Sequence, residues 1–141
     1  MWQECIINWD GITTGKKYWN YGDMNRVESN SQYLSDLIET YNTTVGLIDV
    51  VTNRDRTSYD FYDDLNKVES NIQILANMSH EPTGWITPKV DWVSGDTFSY
   101  VDTNRLETNL LLLHELINDI IDSLLYCGSP QMVCGRDNTM L

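Results

Sequence analysis

Three copies of one hexamer constrain this chain more than any other feature. Asn25-Arg26-Val27-Glu28-Ser29-Asn30 returns as Asn66-Lys67-Val68-Glu69-Ser70-Asn71 and again as Asn104-Arg105-Leu106-Glu107-Thr108-Asn109, at steps of 41 and 38 positions in 141 residues. The likeness extends upstream, through Tyr21-Gly22-Asp23-Met24, Tyr62-Asp63-Asp64-Leu65 and Tyr100-Val101-Asp102-Thr103. A period of roughly forty residues, met three times, marks one structural unit used three times, because a unit of that size cannot bury its apolar face without its copies.

The residues around each hexamer predict a helix. Asn20 is a good N-cap, and Asp23 three positions on can reach back to the free backbone N–H of the cap while favouring the positive end of the helix dipole. Asp60 with Asp63 and Ser99 with Asp102 offer the same pairing ahead of the other two copies. Met24, Val27, Ser31, Leu34, Ile38 and Tyr41 then recur at alternating steps of 3 and 4. Leu65, Val68, Ile72 and Leu75 do so in the second copy, and Leu106, Leu110, Leu113, Ile117, Ile120 and Leu124 in the third. Each helix therefore carries one apolar seam suited to nearly parallel or antiparallel packing on its neighbours. The expected fold is an all-α three-helix bundle of three pseudo-repeats in a single domain, at about 6–45, 46–80 and 85–126, with a hairpin-like tail over 127–141.

Between the helices the chain reads as extended and aromatic. Ile6-Ile7 and Trp9 lead into a polar loop, Gly46 ends the first helical pattern, and Leu47-Ile48-Asp49-Val50-Val51 reads as a short strand or extended segment. Glu81-Pro82-Thr83-Gly84-Trp85-Ile86-Thr87-Pro88 disfavours helix at both prolines. The unit is thus an extended aromatic segment, a turn and a capped helix.

Recurrence has to be explained residue by residue. Val27, Val68 and Leu106 belong to the core. Arg26, Lys67 and Arg105 lie two positions from Glu28, Glu69 and Glu107, so they splay apart on one helix and cannot easily pair within it. Across neighbouring helices the cation of one unit can meet the Glu of the next; solvated faces and contacts with a partner are the alternatives. Asn25, Asn66 and Asn104, and one turn later Asn30, Asn71 and Asn109, are placed to hydrogen-bond loop backbone and tie the extended segment to its helix, with glycan binding as a lesser possibility. Trp9, Trp19, Trp85 and Trp92 supply rigid aromatic area, either to plug gaps between helices or as a surface for a protein or a sugar.

The search for catalytic chemistry is mostly negative. His80 and His114 are far apart, and no Gly-rich phosphate loop, H-E-x-x-H or G-x-S-x-G occurs. A surplus of carboxylates marks a solvated face more often than a glycosidase pair. Cys127 and Cys134 are a weak metal signal, and with Cys5 they make an odd number, which is no disulfide framework. No enzyme activity, metal or cofactor is expected.

Charge narrows the partners. Nine Lys and Arg against 21 Asp and Glu give a net charge of −12, which argues against the phosphate backbone of nucleic acid and against anionic membrane surfaces. The apolar run Leu110 to Leu125 is broken by His114, Glu115, Asn118, Asp119 and Asp122 and does not read as a membrane span. The N-terminus lacks the basic and apolar regions of a secretory signal, so a soluble protein assembled in the cytoplasm is expected.

The signature over Tyr21 to Asn30, Tyr62 to Ile72 and Tyr100 to Leu110, with the run Leu110-Leu111-Leu112-Leu113 and Tyr126-Cys127-Gly128, resembles small repeat-containing tail, baseplate and fibre-associated proteins of phages and prophages of Firmicutes. Those carry a Tyr-x-Asp-Leu-Asn-Arg-Ile-Glu-x-Asn helix start in repeated copies; Lys67 and Thr103 depart from it. The resemblance implies a non-enzymatic virion protein of the tail, baseplate or fibre attachment, with other virion proteins as partners and a trimeric one among the candidates. The alternatives are a module of the tail that binds a host surface glycan, and a capsid decoration or head-fibre protein.

Overall fold

The structure, a computed structural model, describes residues 1–7, 19–41, 44–55 and 62–126. It contains three helices, α1 (Tyr21–Tyr41), α2 (Tyr62–Met78) and α3 (Tyr100–Tyr126), each beginning at the tyrosine of its repeat. Two helix starts are closed as the sequence predicts. Asn20 Oδ1 accepts from the Gly22 and Asp23 N–H groups at 2.8 and 3.2 Å, while Asp23 Oδ2 accepts from the Asn20 N–H at 2.9 Å. Ser99 and Asp102 repeat the arrangement, with the Ser99 N–H donating to Asp102 at 2.8 Å. At the second start Asp63, expected as the reciprocal acid, is exposed, and Asp64 holds the register of Asp23 and Asp102. Asp60 lies outside the described residues.

The seams meet in one core of Met24, Val27, Leu34, Ile38, Leu65, Val68, Ile72, Leu75, Ala76, Leu106, Leu110, Leu113, Ile117 and Ile121. Among the described side chains two expected members fall outside it, the side chain of Leu124 lying outside the described ones. Tyr41 is exposed at the end of α1, and Ile121 replaces Ile120 as the buried residue of α3. A helix turns 100° per residue, so a 3, 4 alternation drifts off the contact face over several turns.

The helices are parallel and in register. Arg26 meets Glu107 across an offset of 81 residues, and seven residues further along the ring of Tyr33 meets that of His114 at the same offset. A constant difference, held over a rise of about 10 Å, is possible only when both helices point the same way; antiparallel helices hold a constant sum. The equivalent contact, Arg105 with Glu69, relates α3 to α2.

Parallel helices oblige the chain to return along the bundle between them, and it does so as extended segments lying from one helix to the next. No strand is present among the described residues, so Leu47 to Val51 is extended without being a strand. Segments 44–55 and 81–99 each enter through a left-handed glycine, Gly46 (φ +75°) and Gly84 (φ +92°), a backbone geometry that costs a side-chain-bearing residue about 1 kcal/mol or more. Leu47 and Trp85 follow those glycines and, with Trp2 at the chain start, pack against the core. Contacts of the first unit begin at Trp2, ahead of the expected boundary at 6. The tail 127–141, expected to be hairpin-like, lies outside the described residues.

Candidate functional site

The recurring polar residues form one network, built from the carboxamides upward. An extended strand without a strand partner must find other partners for its backbone groups, and the asparagines provide them. Asn30 accepts from the Gln3 N–H and donates to the Gln3 carbonyl, both at 2.8 Å. Asn71 does the same for Ile48 at 2.7 and 2.9 Å, and Asn109 for Ile86 at 3.0 and 2.6 Å. Asn25 clasps Arg54 at 2.8 and 2.9 Å, and Asn66 clasps Trp92 at 2.7 and 3.0 Å. A carboxamide has one acceptor and one donor side by side, which matches the N–H and C=O of a single extended residue. Asn104 is also engaged; the position in the first segment equivalent to Arg54 and Trp92 is Trp9, outside the described residues.

Three residues after the first clasp of each segment, a backbone N–H is donated to the glutamate of the neighbouring helix. Ile6 donates to Glu107 at 3.1 Å, Val51 to Glu28 at 3.0 Å and Lys89 to Glu69 at 2.9 Å. Segment 1–7 thereby joins α1 to α3, segment 44–55 joins α2 to α1, and segment 81–99 joins α3 to α2. The three units close into a cycle with a pseudo-threefold axis along the bundle.

The same glutamates are paired across helices. Arg26 of α1 holds Glu107 through Nε at 2.8 Å and Nη2 at 2.7 Å, and Arg105 of α3 holds Glu69 at 2.8 and 2.6 Å. Each guanidinium also reaches the acid three residues back, Asp23 at 3.0 Å and Asp102 at 2.9 Å. Glu69, fully buried, accepts in addition from the Trp92 indole N–H at 2.9 Å, so its two oxygens take four hydrogen bonds. Bidentate pairs with every remaining lone pair satisfied are the condition under which a buried ion pair is tolerated.

The third link is wired differently. Lys67 stands where an arginine would close α2 onto α1, but it points outward to Asp49 at 3.5 Å on the surface. Its place is taken by Arg54 of segment 44–55, whose Nε holds Glu28 at 2.8 Å and whose Nη1 lies 3.7 Å from Asp64. The guanidinium bridges the same two carboxylates that an arginine at 67 would bridge. The sequence carries a trace of this exchange: Trp85 and Trp92 are seven apart, as are Trp2 and Trp9, whereas seven residues after Leu47 stands Arg54. Burial pushes the Glu28 carboxyl above the usual carboxylate range, against the hydrogen bonds of Arg54 and Val51.

The sequence candidates thus divide. Glu28, Asn30, Glu69, Asn71, Arg105, Glu107 and Asn109 are buried, and Asn25, Arg26 and Asn66 half-buried and engaged; pairing between repeats holds for two of the three cation positions. Lys67 alone of the three cations faces out. Trp92, a surface candidate from the sequence, is 3% exposed, because the Asn66 clasp turns its ring into the core against Phe98 at 5.7 Å. Trp19 and Trp85 are half-buried against the core, and Trp9 lies outside the described residues. His114, off the seam, stacks on Trp2 with ring centroids 3.9 Å apart and planes 6° from parallel. Burial lowers its pKa, against the pull of Glu115 and Glu4. The Cys5 thiol is pushed up to about 12 by burial and then by Glu107, which leaves it protonated and unreactive at neutral pH; Cys127 and Cys134 lie outside the described residues. No group of three His, Cys, Asp or Glu among the described residues is arranged to hold a metal ion, and no helix there is long and apolar enough to cross a membrane. Set against protein-family models, curated proteins and solved structures, the chain matches none of them.

Proposed function

We propose that this chain is a non-enzymatic structural protein of a phage virion, a tail, baseplate or fibre-attachment component that acts by docking on other virion proteins. What carries the reading is the direction of the repeated polar residues: the carboxylates, guanidiniums and carboxamides of the signature hold one another and the chain's own backbone. A glutamate such as Glu69, with four hydrogen bonds donated to it, has no lone pair left to take a proton from a substrate. Such a network makes three short units into one rigid body, and rigidity with a fixed outer shape is what an assembly component needs. The resemblance of the three helix starts to the repeats of tail and fibre-associated proteins supplies the setting. Recognition of a host glycan, the alternative, has lost Trp92 as a platform, since its ring is buried.

Quantitative mass spectrometry of purified particles tests the proposal, with the chain's copy number scaled to the major tail protein. A small fixed multiple of three or six is expected. Copies in the hundreds would move the protein to capsid decoration, and absence from particles would end the virion reading.

A further inference from the structure

The tyrosine that opens each repeat is the exposed part of the signature that the network leaves over. Tyr21, Tyr62 and Tyr100 are 40, 41 and 48% exposed, and no ring or hydroxyl among them has a hydrogen-bond or aromatic partner among the described residues. Because the helices are parallel and in register, the three side chains stand at one end of the bundle, around its pseudo-threefold axis. Their immediate neighbours Gly22, Asp63 and Val101 do not recur, although they are equally exposed. An internal repeat keeps a residue where packing repeats or where each copy meets the same chemistry outside. Packing and pairing account for the repeated Asn, Glu, Arg and Val or Leu; they do not account for three exposed phenols.

The partner's properties follow from symmetry and charge. Three equivalent contacts around one axis match a protein with a closed threefold axis, each subunit meeting one tyrosine, whereas a single chain without repeats would have to meet the three with three different surfaces. Tyrosine is favoured at the centre of protein interfaces and its ring face accepts a cation. A chain of net charge −12 docks with least repulsion on a basic surface.

We propose that this end of the bundle seats one copy of the chain on the axis of a homotrimeric protein whose tip presents a lysine or arginine per subunit to Tyr21, Tyr62 and Tyr100. The proposal rests on the reading of the chain as a docking protein and adds the face, the symmetry and a ratio of one chain to three partner subunits.

Site-specific photo-crosslinking in the cells that produce the protein tests it, with Tyr21, Tyr62 and Tyr100 each replaced in turn by p-benzoylphenylalanine and Thr52, exposed on an extended segment, as the control position. All three positions are expected to give adducts with one and the same peptide of a single protein, in comparable yield, and the control position is not. Adducts with three different peptides, with other copies of this chain, or at none of the three positions overturn the threefold surface. The two proposals fail separately. Convergence on one peptide of a protein absent from purified particles keeps the surface and removes the virion reading; presence in particles with divergent adducts does the reverse.

Discussion

At the scale of single residues, the carboxamide clasp is the device on which the fold depends. Asn109 sits buried on α3 and holds both backbone groups of Ile86. Asn109→Ala removes two hydrogen bonds from a site that water reaches poorly, and a loss of about 1–3 kcal/mol is expected in denaturant unfolding. Asn109→Asp does not rescue it, because a carboxylate presents an acceptor to the Ile86 carbonyl in place of the donor. His114 offers a second prediction, with the sign set by its lowered pKa. The unfolded chain binds the imidazole proton at a higher pH than the folded chain does. The stability this group contributes is therefore complete above the ordinary value of about 6.5 and is lost as pH falls toward the folded value. Thermal unfolding midpoints should fall in that window for the wild type, and His114→Phe, which keeps a ring against Trp2, should flatten this part of the profile.

At the scale of the element, segment 44–55 does a task that a helix does in the other two units. Arg54 brings the cation that Lys67 withholds, and Glu28 and Asp64 receive it as Glu107 and Asp23 receive Arg26. Arg54→Trp alone leaves Glu28 buried without its cation, and a loss of about 3–5 kcal/mol is expected. Lys67→Arg alone brings a second guanidinium to a site already filled and gains nothing. Together the two substitutions recreate the wiring of the third unit, in which Trp92 and Arg105 share Glu69. The double variant should therefore be more stable than Arg54→Trp, with a coupling of roughly 0.5–3 kcal/mol in a double-mutant cycle. Strictly additive effects would show that an arginine at 67 does not take over Glu28 from Arg54.

At the scale of the whole molecule, the parallel arrangement makes the chain start an essential part of the bundle. Residues 1–7 close the cycle between α1 and α3 through Gln3, Ile6 and the stacked Trp2. Their removal takes one backbone donor from Glu107 and both backbone partners from Asn30, and it uncovers the apolar surface under Trp2. A chain beginning at residue 8 should melt at a lower temperature than any single-residue variant above, as read by circular dichroism. An unchanged midpoint would mean that the units do not form a closed ring.

The three helices, two of their capped starts and most of their seams were legible in the sequence, since caps and apolar periodicity act over a few residues and leave a local trace. The ties between Asn and extended backbone, and the pairing of a cation with the Glu of another unit, were legible as alternatives because the residues recur and a cation and a Glu two positions apart cannot pair with each other on one helix. Three things were decided only by tertiary structure. Whether the helices run parallel depends on where the chain between them travels, and the apolar seams are the same for either direction. Trp92 reads as an exposed connector residue until Asn66 fixes its backbone and Glu69 accepts its N–H. Arg54 lies in what reads as a polar loop, and only the vacancy left by the outward turn of Lys67 makes it the third cation of the network: local pattern records which residues can bind, and the packed fold assigns each of them its partner.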